Sequence, residues 1–128
     1  MNLTRFLTLS ILHLFAILGL AQSPANFVSL SSDEFDSLIS DTSQVVILDV
    51  RRPDEFSAGH IPHALNINVL DPSFSSLCQS QLPKSKTIAV YCRSGRRSKN
   101  AAQQLAQLGF SVKELNHGFL SWKGEVAQ

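Results

Sequence analysis

Thr87-Ile88-Ala89-Val90-Tyr91-Cys92-Arg93-Ser94-Gly95-Arg96-Arg97-Ser98 decides how this chain is read. Its first five residues form an apolar-rich run with the signature of a buried strand. Ser98 to Leu108 reads as a helix, with Ala101, Ala102, Leu105 and Leu108 on one face and Gly109 just past its end. A single cysteine therefore stands in a short loop between a strand end and a helix start. Backbone N–H groups at such a place converge on anions. The same positive field favours the thiolate, which is the nucleophilic form of cysteine. A cysteine at a strand end can instead be a small buried hydrophobe. Arg93, Arg96 and Arg97 weigh against that reading, because arginines are not buried without partners. The stretch points to a catalytic Cys92 acting on a small anionic substrate.

Outward from this stretch, strand and helix signals alternate. Phe27 to Leu30 is a short extended segment. Ser31 or Ser32 caps a helix whose first turn carries Asp33 and Glu34 and whose apolar face carries Phe35, Leu38 and Ile39. Val45 to Val50 is a strongly apolar strand. Pro53 opens a short helix that Gly59 ends. Ala64 to Ile67 is a further strand, Pro72 to Leu82 a helix, Val112 to Leu115 a last strand, and Phe119 to Lys123 a closing helical turn. This alternation predicts a single α/β domain with a mostly parallel central sheet flanked by helices on both faces. Ligands in such sheets bind beyond the carboxyl ends of the strands. Cys92 stands at that end of its strand, and Asp49 and Arg51 at the same end of theirs.

The chain has 128 residues, 44% hydrophobic and 16% charged, which suits one globular domain. A formal net charge of +1 gives no global field to attract nucleic acid or an acidic membrane. Met1 to Arg5 carries one positive charge. The mostly apolar run Phe6 to Leu20 follows, and Gly19-Leu20-Ala21 offers small residues around a cleavage point. This is the pattern of a signal peptide over residues 1–21, with a lead-in at 22–26 and the folded domain at 27–128. An apolar run of 15 residues falls short of the roughly 20 that span a bilayer, so no stable membrane insertion is expected after cleavage, although an uncleaved anchor is the alternative. The expected location is periplasmic or secreted. The two cysteines, Cys78 and Cys92, would then meet an oxidising compartment, and a bridge between them is the structural alternative to a catalytic thiol. They show no zinc-ligand pattern, so no metal is expected.

A second polar stretch runs Ile47-Leu48-Asp49-Val50-Arg51-Arg52-Pro53-Asp54-Glu55-Phe56-Ser57-Ala58-Gly59-His60-Ile61-Pro62-His63-Ala64. Asp49 and Arg51 can pair with the cysteine loop or with Glu55, and His60 can cap a turn. Each is as readily structural as catalytic.

Together, Asp49-Val50-Arg51, Glu55-Phe56, Gly59-His60-Ile61, the loop Tyr91 to Ser98, and Leu115-Asn116-His117-Gly118 followed by Trp122 resemble the rhodanese family of sulfurtransferases. The likeness covers nearly all of residues 22–128 and looks most like the small exported single-domain members. Members often carry Gly where this chain has His63 and His117. The resemblance implies that the Cys92 thiolate takes sulfane sulfur from a donor such as thiosulfate and passes it to cyanide or a thiol. It implies a persulfide cradled by Arg93, Ser94, Gly95, Arg96, Arg97 and Ser98, with Asp49 and Arg51 supporting the site. No metal or organic cofactor, no nucleic-acid partner and a monomer are expected. Two other functions stay open. One is a persulfide carrier or binding module without turnover. The other is a cysteine phosphatase, which places five residues between Cys and Arg. Here four residues separate Cys92 from Arg97, and Ser98 occupies the phosphatase arginine's position.

Overall fold

The computed structural model describes residues 26–128. The signal segment expected at 1–21, and the lead-in apart from Asn26, lie outside the described residues. The elements run β1 (Val28–Leu30), α1 (Ser32–Ile39), β2 (Val45–Asp49), α2 (Pro53–Ala58), β3 (Leu65–Asn66), α3 (Phe74–Gln81), β4 (Thr87–Tyr91), α4 (Arg96–Gln107) and β5 (Val112–Leu115), closed by a 3-10 turn at Phe119–Ser121. All pairings in the five-stranded sheet are parallel, in the order β1-β5-β4-β2-β3.

Side chains of the central strands alternate between two cores, as the strand period of two requires. Ile88, Val90 and Cys92 join Leu48, Val50, Phe74, Cys78, Ala101, Ala102 and Leu105 beneath α3 and α4. Ala89 and Tyr91 join Val45, Ile47, Phe35 and Leu115 on the α1 side. Parallel strands covered on both faces read as continuous apolar runs, which is why β2 and β4 stand out in the sequence. Ser31 caps α1, with Glu34 returning a hydrogen bond to the Ser31 N–H.

The helix expected from Ser98 begins two residues earlier, at Arg96. Gly95 makes the difference. It holds φ at +98° and turns the chain into the helix without a side-chain cap. Ser98 is therefore a buried position within the first turn of α4. The strand expected at 64–67 shortens to Leu65–Asn66, and the helix expected at 72–82 to Phe74–Gln81. Asn66 Nδ2 donates to the carbonyls of both Asp49 and Arg51, so β3 ties down the segment that follows β2.

Candidate active site

Register brings the functional side chains together. Asp49 pairs with Tyr91 across β2 and β4, and Val90 pairs with Glu114 across β4 and β5. The chain after β2 and the chain after β4 thus leave the sheet side by side. From β4 the chain passes through Cys92 to Gly95 and into α4.

Cys92 is fully buried, and the Gly95 N–H donates to its Sγ at 3.1 Å. A Cβ on Gly95 would lie 1.9 Å from the Asn116 carbonyl oxygen, so only glycine fits this turn. Of the cradle expected over Arg93 to Ser98, this N–H is the backbone donor that reaches the sulfur among the described residues. The 3-10 turn latches the loop from the other side: Phe119 N–H donates to the Cys92 carbonyl at 2.8 Å and Leu120 N–H to the Arg93 carbonyl at 3.0 Å. Gly118, with φ at +64°, passes so close that a Cβ would lie 2.5 Å from the Arg93 oxygen.

Asp49 and Arg51 pair with each other, not with the loop or Glu55. Arg51 Nε lies 3.0 and 3.1 Å from the two Asp49 oxygens and Nη2 lies 2.7 Å from Oδ2. Arg51 Nη2 also donates to the Gly59 carbonyl at 2.6 Å. Its guanidinium carbon sits 4.5 Å from the Phe119 ring centroid and 5.6 Å from that of Tyr91. The Tyr91 hydroxyl accepts from the Ile61 N–H at 3.0 Å, and burial pushes its ionisation far above the usual phenol range. This pair braces the base of the site. His60 closes α2 from outside, with Nδ1 2.8 Å from the Phe56 carbonyl and its ring stacked on Phe56.

Arg97, expected at the substrate, holds Glu55 of α2 in a bidentate pair at 2.7 and 2.9 Å. The Arg97 hydrogen bonds draw the Glu55 carboxyl down to about 2. Arg93 and Arg96 are exposed, and among the described residues neither side chain has an ion-pair partner. Arg96 and Arg97 line a cleft of about 210 Å³ with Val69, Leu70 and Asn100. A larger cleft of about 360 Å³ lies on the α1 side and contains no residue of the loop 92–98. Ser94 is exposed at the tip of the loop.

Glu55, read in the sequence as a possible partner of Asp49 or Arg51, is taken by Arg97 instead. The acidic residue not expected here is Glu114, a fully buried carboxylate that accepts from Ser98 Oγ at 2.5 Å, Ser29 Oγ at 2.6 Å and Lys99 Nζ at 3.3 Å. No sequence signal sets Glu114 apart, because it follows Lys113 in a short strand that is half charged. Cys78 and Cys92 are both free thiols, and burial pushes Cys78 up to about 11. Among the described residues no group of three or more His, Cys, Asp or Glu is placed to hold a metal, and no helix is long and apolar enough to cross a membrane.

A sulfur anchored by a backbone N–H at the start of a 12-residue helix, with arginines on the rim, can stabilise negative charge on itself or on an atom attached to it. Comparison with known proteins agrees with that chemistry. The chain is 33% identical over 94 residues to a sulfurtransferase of Allochromatium vinosum, covering 73% of this chain and 85% of that one. It is 36% identical over 85 residues to the chloroplastic thiosulfate sulfurtransferase 16 of Arabidopsis thaliana, covering 59% and 71%. Several other curated relatives are longer, and the chain spans only 24% to 46% of them. Among solved structures it is similar to a rhodanese-like domain protein of Staphylococcus aureus, with a TM-score of 0.67 and 25% identity over 77% of this chain and 94% of that one. The rhodanese-like domain model matches residues 31–125, and the chain belongs to that family, whose relatives here are named sulfurtransferases.

Proposed function

We propose that this protein transfers sulfane sulfur from thiosulfate, or a similarly small anionic donor, to cyanide or a thiol through a persulfide on Cys92. The observation that carries this reading is the Gly95 N–H aimed at Cys92 Sγ from 3.1 Å at the N-terminal end of α4. In the first step the Cys92 thiolate attacks the outer sulfur of the donor. A new S–S bond forms, the donor's S–S bond breaks, and sulfite leaves with the bonding pair. The persulfide's outer sulfur then carries the negative charge, which the helix start and rim arginines stabilise. In the second step cyanide, or a thiolate, attacks that outer sulfur. Thiocyanate, or the acceptor's persulfide, departs and the Cys92 thiolate returns. No base, metal or organic cofactor enters either step.

The phosphatase reading has weaker support. Ser98 stands where that chemistry places its arginine, and it is hydrogen-bonded to the Glu114 carboxylate. The same proposal takes residues 1–21 as an export signal, residues 27–128 as a monomeric domain, and the periplasm or cell exterior as its location. Mass spectrometry of the purified full chain tests the chemistry. Thiosulfate should add one sulfur, about 32 Da, reversed by cyanide and absent in Cys92→Ser, because the thiolate is the attacking group. Aryl-phosphate turnover that vanishes in Cys92→Ser, with no added sulfur, would overturn it. Sequencing the N-terminus of exported protein tests the signal.

A further inference from the structure

The sulfur-transfer steps above use nothing behind Cys92, yet a row of polar side chains lies there, and two of them, Ser98 and Glu114, are fully buried. Ser98 Oγ lies 3.4 Å from Cys92 Sγ on one side and 2.5 Å from Glu114 Oε2 on the other. Glu114 reaches this place because β5 pairs with β4 at Val90, which turns its side chain to the α4 face. Ser29, paired with Glu114 across β1 and β5, takes the second carboxylate oxygen at 2.6 Å.

The direction of these hydrogen bonds is fixed by chemistry. An ionised carboxylate only accepts, and Ser98 has one hydroxyl proton. That proton goes to Glu114. The side of Ser98 Oγ turned to the sulfur therefore offers lone pairs, which accept from an S–H and repel an S⁻. The Glu114 charge repels a thiolate as well. Gly95 N–H favours the thiolate from the loop side, and the Ser98–Glu114 pair opposes it from behind. The other charged groups around the row are few. Lys99 on α4 forms an ion pair with Glu114 Oε2 at 3.3 Å. Arg97 on α4 is held by Glu55 of α2, and Arg51 by Asp49 at the end of β2. Arg93 and Arg96 complete the set at the rim.

We propose that Glu114 is a positioning residue which, by holding the Ser98 hydroxyl, keeps Cys92 as a resting thiol. The thiolate forms when that hydroxyl turns from Glu114 to Sγ and the thiol proton passes to solvent. The proposal rests on the reading of Cys92 as the sulfur-carrying nucleophile and adds a control on when that nucleophile is exposed.

The test is the rate at which iodoacetamide alkylates Cys92 in the full chain, followed by peptide mass as a function of pH. Glu114→Gln keeps the shape and removes the charge, freeing the Ser98 hydroxyl. Near pH 6, below the ordinary thiol range, it should alkylate about tenfold faster than wild type, the worth of one charge-assisted hydrogen bond. The two rates should converge at alkaline pH, where both proteins are thiolate. A merely structural role would raise the rate at every pH. In a Ser98→Ala background the same substitution should lose most of its effect, because no hydroxyl remains to turn. An equal or slower rate near pH 6, or a gain independent of pH, would overturn the proposal. Wild-type protein supplies a second readout. The infrared S–H stretch of Cys92, identified against Cys92→Ser, should be present near pH 6, and its absence would also overturn the proposal. Failure of the sulfur-transfer reading shows separately, as no mass gain with thiosulfate whatever the alkylation profile.

Discussion

Arg51→Ala should destabilise the domain more than any other charge removal at this end of the sheet. The guanidinium makes three contacts under 3.2 Å with the Asp49 carboxylate and one with the Gly59 carbonyl. Asp49 has no exposed surface. After truncation its carboxylate keeps one donor from this set, the residue 51 backbone N–H at 2.9 Å. Leaving one member of a buried ion pair without its partner costs about 3–5 kcal/mol. The lost contact with the Phe119 and Tyr91 rings adds about 1 kcal/mol, and water entering the space offsets a similar amount. The expected loss is about 3–5 kcal/mol, a large share of the roughly 5–15 kcal/mol that holds a domain folded. For about a hundred residues that lowers Tm by roughly 15–25 °C. Urea unfolding followed by Trp122 fluorescence measures it, with an unchanged m-value as the sign that only stability moved. Asp49→Asn combined with Arg51→Ala should be more stable than Arg51→Ala alone, because the orphaned charge is gone. A single variant within about 1 kcal/mol of wild type, the range of an exposed pair, would refute the reasoning. So would a double variant no better than the single.

Gly95→Ala should cost about 2–4 kcal/mol, from the left-handed φ and a Cβ driven against backbone that cannot rotate away, and should slow persulfide formation at any temperature where the protein is folded; mass gain with thiosulfate reads this out. His63 holds φ at +69°, so His63→Gly should leave stability level or raise it by about 0.5 kcal/mol, measured as Tm. The Glu55 carboxyl is depressed from 4.5 to about 2 by Arg97, so its contribution is whole above about pH 4.5 and is lost as pH falls towards 2. Solvent screening keeps that contribution near 1 kcal/mol, and Glu55→Gln should flatten this part of the acid-unfolding curve. Arg96→Ala should raise KM for thiosulfate, and added salt should do the same in wild type; Arg97→Ala should lower Tm by freeing Glu55, with a smaller change in KM.

The fold was legible where burial is two-sided. Residues 45–48 and 88–91 are unbroken apolar runs because helices cover both faces of β2 and β4, and such runs have few other readings. Strand order was not legible. β1 pairs with β5 at the far end of the chain, and nothing in Val28–Leu30 specifies a partner some eighty residues away. The start of α4 was misplaced because Ser98 has the chemistry of an N-cap. The actual start depends on a glycine turn, and the serine hydroxyl is used against the sulfur and Glu114 instead. The loop could be picked out as the candidate site from its composition. Its division of labour could not, because the residues that decide it, Glu55 and Glu114, arrive from other elements.

That division of labour changes what the cluster of arginines means. In sequence, Arg51, Arg93, Arg96 and Arg97 look like one positive patch. In the structure Asp49 neutralises Arg51 and Glu55 neutralises Arg97, and both pairs lie at the ends of parallel strands or their following helices. These two pairs act as braces. Arg51 reaches from β2 to the Gly59 carbonyl after α2, and Arg97 joins α4 to α2. They fix the loop's frame. The charge that remains to attract an anion is carried by the exposed Arg93 and Arg96 and by the backbone at the start of α4. Backbone N–H groups do not move with salt or rotamer, so they suit the proposed chemistry, in which a negative sulfur is held in one place through two transfers. The flexible rim arginines suit the different task of drawing a donor in and letting a product leave. Glu114, behind the sulfur, sets the remaining balance, since its charge acts on Cys92 from within the protein where solvent screens it least.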